Sequence, residues 1–373
     1  MSRTLVVTND FPTRRGGIET FVLSLCQELP ADEVVVYTAA MPGGPAYDAT
    51  LPFPVHRDPT SMLLPTPRVG ARVERVLRDT GCDRVVFGAS APLGLLAHRL
   101  RGAGAERLVA LTHGHEVWWA RTPGTRQVLH RIGEGCDVLT YVSDWCRDRI
   151  APALSEPARG RMQQLSPGVD PTRFRPGSGG AEVRARWGIA ADAPVVVCTA
   201  RMVRRKGQDT LIEAWPRVRA AVPGARLLLV GDGPHRAALE RAAAGLGESV
   251  VFTGSVPWSE MPAHTDAGDV FAMPCRTRLG GLEPEAFGIV FLEAAACGLP
   301  VLVGDSGGAP ETVLDGDTGF VVPPDDVREV ADRLVELLTD RELARSMGDR
   351  GRDRVVRQWT WQRSGERLRA LLV

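Results

Sequence analysis

Twice in this chain a short apolar run gives way to a glycine-bearing loop and then to a segment with helical periodicity, and few architectures accept that order. The first instance is TLVVTND (Thr4–Asp10), the loop FPTRRGG, and a segment in which Ile18, Phe21, Val22, Leu25 and Leu29 keep helical spacing. Further apolar runs follow at VVVYT (Val34–Thr38), RVVF (Arg84–Phe87), RLVALTH (Arg107–His113) and VLTYVS (Val138–Ser143), separated by helix-length stretches. The second half repeats the layout. PVVVCTAR (Pro194–Arg201) leads through RRKG into a helix near Gln208, and RLLLVGDG, VVFTGS, VFAMP, PVLVGD and GFVVP supply later strands. This alternation predicts α/β architecture with doubly wound parallel sheets. A length of 373 residues is long for one core and predicts two domains. The proline- and glycine-rich segment SPGVDPTRFRPGSGG (Ser166–Gly180) carries the expected boundary. Two such domains facing each other would put ligands in the cleft between the carboxyl ends of their strands.

Composition excludes several classes of function. Forty-five basic residues balance 45 acidic ones, so the chain as a whole has no nucleic-acid footprint and any basic site is local. The seven cysteines form no C-x-x-C pair and sit mostly in apolar segments, which argues for reduced thiols in a cytosol. The apolar run in MSRTLVVTND is too short for a signal peptide, and longer apolar stretches are interrupted by charge or proline, so no membrane span is expected.

The stretch EPEAFGIVFLEAAACGLP (Glu283–Pro300) sets two acids, Glu285 and Glu293, around the start of an apolar helix. A carboxylate in the second turn of such a helix needs a partner, because an unpaired buried charge is costly. With a helix starting near Gly288, the free N–H groups around Phe287, Gly288, Ile289 and Val290 form an anion site suited to a phosphate. Eight residues of helix span about 12 Å, beyond the about 5–9.5 Å that separates the carboxylate pair of a glycoside hydrolase. A nucleotide sugar suits the spacing better: diphosphate on the helix N-terminus, ribose hydroxyls on Glu293, sugar hydroxyls on Glu285. The alternative is that Glu285 caps the helix dipole and Glu293 pairs with an arginine; this stretch alone does not separate the two.

The basic residues favour the first reading. Lys206 is the only lysine among the 45 basic residues, the other 44 being arginine. A compact ammonium fits a cramped anion pocket that a planar guanidinium does not. Arg201 ends a strand and Lys206 opens the following helix, so both belong at the same sheet edge as the Glu285 loop and can grip the diphosphate, with Arg204 and Arg205 facing solvent. Fixed cations there would stabilise a departing nucleoside diphosphate. In the first half, Gly16 and Gly17 precede a helix, where missing side chains allow close backbone approach to a phosphate or sugar.

Other features are weaker. His113 and His115, at i and i+2 on a strand end, resemble the start of a metal-ligand set, but no H-E-x-x-H or clustered His/Asp pattern completes it. Asp315-Gly316-Asp317 reads as a glycine turn, not as a metal motif. Arg68, Arg72 and Arg75 share one helix face, with Val69, Val73 and Val76 opposite, after an apolar SMLLP. Eight arginines against four acids between Arg57 and Arg101 make a surface able to rest on anionic lipid, and equally a packed helix with solvated arginines. Trp118 and Trp119 suit an acceptor pocket or the core.

Taken together, FPTRRGGIETF, ARMVRRKGQDTLIEA, LLLVGDGP, EAFGIVFLE and SGGAPETVLDGDTGFVVPPDD resemble the GT-B retaining glycosyltransferases of family 4 over nearly the whole chain. More narrowly, NDFPTRRGGIE, SMLLPTPR, FGASAPLGLLA, THGHEVWWARTPGTRQ and AMPCRTRLGGLEPEAFGIVFLEA are similar to the actinobacterial members that use GDP-mannose and a phosphatidylinositol mannoside acceptor. The resemblance implies two Rossmann-like domains over residues 1–170 and 171–357, with a C-terminal helix over 358–373 crossing back to the first. It implies a retaining mannosyltransferase adding a second, α-1,6-linked mannose to a lipid at an anionic membrane surface, cytoplasmic and peripheral, with no metal and no cofactor beyond the donor. Another sugar nucleotide with a soluble inositol, sugar or sugar-phosphate acceptor is the alternative. The family pattern further implies Arg201 and Lys206 on the donor phosphates, Glu285 on the transferred sugar, Glu293 on the ribose, Gly17 near the diphosphate and His113 near the reacting carbon. Gly254 and Val256, in the TGSV segment, would meet the base through backbone. Where many relatives have glycine after the first acid, this chain has Ala286.

Overall fold

The computed structural model describes residues 2–14 and 16–373; Arg15, within the FPTRRGG loop, lies outside the described residues. The chain divides into two compact units, one of Met1–Gly168 with Trp361–Val373, the other Val169–Thr360.

The first unit carries a seven-stranded sheet in the order β3-β2-β1-β4-β5-β6-β7. Its strands are β1 (Thr4–Thr8), β2 (Val34–Ala39), β3 (Val55–Asp58), β4 (Arg84–Phe87), β5 (Arg107–Ala110), β6 (Val138–Tyr141) and β7 (Met162–Gln164), and every pairing is parallel. The central strands β1 and β2 are buried along their whole length, as expected of strands covered by helices on both faces. The edge strands β3 (VHRD) and β7 (MQQ) carry too little apolar pattern to be read from sequence; they exist because β2 and β6 offer free ladder edges.

The second unit holds a six-stranded parallel sheet in the order β10-β9-β8-β11-β12-β13. Its strands are β8 (Val195–Thr199), β9 (Arg226–Val230), β10 (Val250–Gly254), β11 (Val270–Met273), β12 (Val301–Gly304) and β13 (Gly319–Val322). Both orders are doubly wound, so each sheet has a switch point beside its first strand, where loops diverge and ligands bind.

The helix Trp361–Leu371 returns to the first unit. Trp361 meets Phe21 with ring centroids 6.0 Å apart, Ser364 Oγ donates to the Ser166 carbonyl at 2.9 Å, and Arg107 Nε donates to the Leu371 carbonyl at 2.8 Å. Trp359, expected at the start of this helix, instead belongs to the second unit, edge-on to Phe287 and covered by the Arg354 guanidinium. Among the described residues no helix is long and apolar enough to cross a membrane.

Candidate functional site

In the second unit the loops after β8, β11 and β12 converge at the carboxyl edge of the sheet. The loop after β8 closes in a single 3-10 turn, Arg204–Lys206, and enters the helix Gln208–Ala221 through Gly207. Gly207 has φ +77°, and a Cβ there would sit 2.1 Å from the Pro274 carbonyl oxygen, so only glycine lets this turn press against the loop after β11. The Arg276 N–H donates to the Arg205 carbonyl at 2.8 Å and locks the two loops together.

Glu285 is the focus of that junction. Lys206 Nζ donates to Glu285 Oε2 at 2.6 Å and Arg205 Nη1 to the same oxygen at 2.9 Å. The backbone of Glu285 is held as well: its N–H donates to Ser306 Oγ at 3.2 Å and its carbonyl accepts from the Gly308 N–H at 2.9 Å. Gly307, with φ +62°, would place a Cβ 2.0 Å from that carbonyl, which explains the first glycine of SGGAP. Burial pushes the Glu285 carboxyl up, but the Lys206 and Arg205 charges outweigh it and hold the group below the ordinary carboxylate range. Arg205, expected to face solvent, is thus part of the cluster, because the 3-10 turn swings it to the same side as Lys206. Arg204 is exposed as expected, and the exposed Arg201 side chain makes no hydrogen bond or ion pair among the described residues.

The helix of Glu293 runs Ile289–Ala296, entered through Gly288 at φ +87°. Phe287 is buried against Trp359, so it can offer a ligand only its backbone. Ile289 and Val290 occupy the first turn, where N–H groups have no intrahelical acceptor. Glu293 is 2% exposed and its carboxylate has no hydrogen-bond or ion-pair partner among the described residues. Burial raises its pKa to about 8, against a smaller opposing pull from the Arg173 charge. Of the two alternatives for this stretch, the pairing is therefore reversed: the acid ahead of the helix has the cationic partners, and the acid within it lacks one. Gly254 ends β10 at φ +75°, two strands from β8, and Val256 follows half-buried.

The first unit holds the other candidates. Gly17 has open space where a Cβ would stand, whereas Gly16 makes room for the Glu19 carboxylate, 2.4 Å from a would-be Cβ. Strand β5 ends at Ala110, so His113 and His115 lie in the turn that follows and not at i and i+2 of a strand. Their rings nevertheless stack, with centroids 6.4 Å apart. His113 Nε2 lies 2.6 Å from the Gly88 carbonyl oxygen, its ring is edge-on to Phe21, and burial lowers its pKa. Asp315 accepts the Val321 N–H and Asp317 pairs with Arg350, the arrangement of a turn.

On the helix Pro67–Asp79, Arg68 and Arg75 are exposed, but Arg72 is not free with them: it makes a bidentate pair with buried Asp58, at 2.7 and 3.0 Å. Asp58 is held to about 2 although burial opposes it, through Arg72, Thr60 and Tyr37. In the preceding SMLLP segment Leu63 is buried and clamped, its N–H and carbonyl both bonded to the Asn9 side chain at 2.7 and 3.0 Å. Met62 and Leu64 consequently point outward, 55% and 48% exposed. Trp118 is exposed as well.

Comparison with known proteins adds the following. Residues 181–354 match the family model "Glycosyl transferases group 1" and residues 15–173 match "Glycosyltransferase Family 4". The chain is 48% identical to the GDP-mannose-dependent alpha-(1-6)-phosphatidylinositol monomannoside mannosyltransferase of Mycolicibacterium smegmatis, over 99% of this chain and 97% of that protein. It is 47% identical to the Mycobacterium tuberculosis protein of the same name, with the same coverage. A Corynebacterium glutamicum relative, named for a monoacylated form of the acceptor, is 44% identical over the same shares. Among solved structures, Anabaena HepE in complex with UDP superposes with a TM-score of 0.83 at 20% identity, covering 100% of this chain and 99% of that one. Sucrose-phosphate synthase from Thermosynechococcus elongatus gives 0.78 at 24%, covering 99% and 98%. These likenesses give the two-domain GT-B fold.

Proposed function

This chain belongs to the family 4, group 1 glycosyltransferases, and we propose that it moves mannose from GDP-mannose to a phosphatidylinositol monomannoside, adding the second mannose in α-(1-6) linkage. The observation that carries this reading is the 44–48% identity, along nearly the full chain, with mannosyltransferases of that name. GDP-mannose is an α-linked donor and the relatives are named for an α-(1-6) product, so the transfer retains configuration.

The second unit supplies the donor chemistry. Lys206, Arg205 and Arg201 face the charge that builds on the diphosphate as its bond to mannose breaks, and a preorganised cation stabilises that transition state more than the ground state. Lys206 and Arg205 also orient Glu285, which holds the transferred sugar. The N–H groups at Gly288, Ile289 and Val290 receive a phosphate, Glu293 accepts from the ribose, and backbone at Gly254 and Val256 meets the base. In the first unit, the family pattern assigns His113 to the sugar and Gly16 and Gly17 to the diphosphate. Attack comes from the face the diphosphate leaves, and the departing phosphate oxygen takes the acceptor proton.

Purified enzyme given radiolabelled GDP-mannose and phosphatidylinositol monomannoside should yield a labelled dimannoside lipid, with GDP competing better than UDP. Label in inositol phosphate and none in lipid would overturn the reading.

The acceptor is a lipid, and the first unit presents a surface for it. Met62 and Leu64, fixed outward by the Asn9 clamp, lie just ahead of the helix bearing exposed Arg68 and Arg75, an arrangement that supports peripheral binding to an anionic bilayer at its cytoplasmic face. The seven cysteines, all buried and none in a disulfide, support a reducing compartment. Cosedimentation with phosphatidylglycerol-rich vesicles should fall at least tenfold for a Met62→Asp/Leu64→Asp/Arg68→Glu/Arg75→Glu variant, while GDP affinity stays unchanged. Undiminished cosedimentation would remove this surface from the proposal.

Glu293 gives a prediction about pH. Its pKa in the folded protein, about 8, lies above its ordinary 4.5, so the stability tied to its neutral form is complete at low pH and declines as pH rises from the lower value through the higher. Glu293→Gln removes that decline. The variant should melt with the wild type at pH 5 and several degrees above it at pH 8.5, yet bind GDP more weakly. Wild-type GDP binding should release a proton near pH 7, since ribose hydroxyls favour the carboxylate form. Calorimetry in two buffers of different ionisation enthalpy measures that release, and buffer-independent heats would count against a ribose contact.

A further inference from the structure

We propose that Glu116 is a positioning residue that sets the orientation and tautomer of His113; the inference rests on the role given to His113 above.

Glu116 follows the His113-Gly114-His115 turn and opens the helix Glu116–Arg121, and it is fully buried. Its carboxylate folds back onto its own turn. Oε2 accepts the His113 N–H at 3.0 Å and the Gly114 N–H at 3.2 Å, and Oε1 accepts the Ser90 hydroxyl at 2.9 Å with His115 Nε2 3.3 Å away. A carboxylate offers only acceptors, so it matches a site lined by donors. Gly114 sits at φ +101°, a conformation that turns both peptide N–H groups toward one point.

The turn after β5 is thereby stapled twice to the loop after β4, once through Glu116 to Ser90 and once through the His113 ring to the Gly88 carbonyl, 2.6 Å from Nε2. A carbonyl oxygen cannot donate, so Nε2 carries the proton. Nδ1 is then the acceptor of the neutral ring, available to a sugar hydroxyl. The charged or titratable groups that act on His113 are Glu116, His115 and Asp10; burial, with His115 on the same side, outweighs the upward pull of Glu116, the Gly88 carbonyl and Asp10 and keeps the imidazole neutral at pH 7. If Glu116 were only packing, its removal would lower stability and leave the imidazole as it is.

The test uses full-length protein labelled with 15N-histidine, His113 being assigned by its loss in His113→Asn. Wild type should show His113 as the Nε2–H tautomer, titrating below the ordinary histidine range. Glu116→Gln can keep the geometry, its oxygen on the two peptide N–H groups and its amide donating to Ser90 Oγ, so spectrum and kcat should stay near wild type. Glu116→Ala should mix the tautomers and lower kcat by about 10–100-fold, as expected for an active-site group displaced by about 1 Å, with KM for GDP-mannose nearly unchanged. Ser90→Ala, which removes one staple and disturbs the fold less, should move the same readouts in the same direction. A wild-type His113 spectrum in both Glu116→Ala and Ser90→Ala would overturn the inference. A changed spectrum with unchanged kcat in Glu116→Ala and in His113→Asn would leave the positioning intact and sink the catalytic reading of His113 instead.

Discussion

Lys206→Ala is expected to lower kcat by about 10²–10³, the cost of removing one preorganised charge contact to a developing anion. GDP affinity should fall by about 10–100-fold, corresponding to a charged hydrogen bond worth ~1.5–3 kcal/mol. The fold should survive, because Glu285 keeps Arg205 and its ties to Ser306 and Gly308. Lys206→Arg separates charge from shape. The Lys206 side chain is only 12% exposed, and its charge is felt by the buried Cys198 and Cys275 thiols, both raised by burial and opposed by the Lys206 charge. A guanidinium beside Arg205 has no room to reproduce the 2.6 Å contact to Glu285. The arginine variant should therefore fall between alanine and wild type. Steady-state kinetics and GDP titration at one ionic strength decide this, and a fully active Lys206→Arg would mean that the single lysine is an accident of composition.

Glu285→Gln is expected to cost about as much in kcat, about 10²–10³, while leaving GDP binding unchanged or tighter. GDP has no mannose for Glu285 to hold, and removing the carboxylate frees Lys206 and Arg205 for phosphate. Set beside Glu293→Gln, which should weaken GDP, the two variants assign the acids to opposite ends of the donor. Equal losses of GDP affinity would dissolve that division.

Legibility followed the physics of each element. β1, β2 and β8 are buried on both faces, so their composition had to be continuously apolar and could be read directly. β3 and β7, at the sheet edge, answer to a neighbour's free ladder more than to their own residues. The start of the Ile289–Ala296 helix was legible because Gly288 is needed at a left-handed entry, and the Arg204–Lys206 turn was not, because its three basic residues carry no mark of which way they swing. The same holds for Arg72, whose helical spacing put it with Arg68 and Arg75 until Asp58, from a strand the sequence did not announce, drew it inward. Glu116 left only a faint trace, an acid straight after a histidine pair; its four donors are gathered from two loops far apart in sequence.

What the sequence determined by itself is whatever depends on local pattern and residue chemistry: two α/β units, the two acids bracketing a helix start, and a single lysine among the basic residues. Tertiary structure alone decided which charges meet. Lys206 and Arg205 close on Glu285, and Glu293 keeps a buried carboxyl without a counterion. The reason is that an ion pair or a desolvated acid is a property of distance and dielectric, and both arise only when loops separated by some 80 residues are packed against one another.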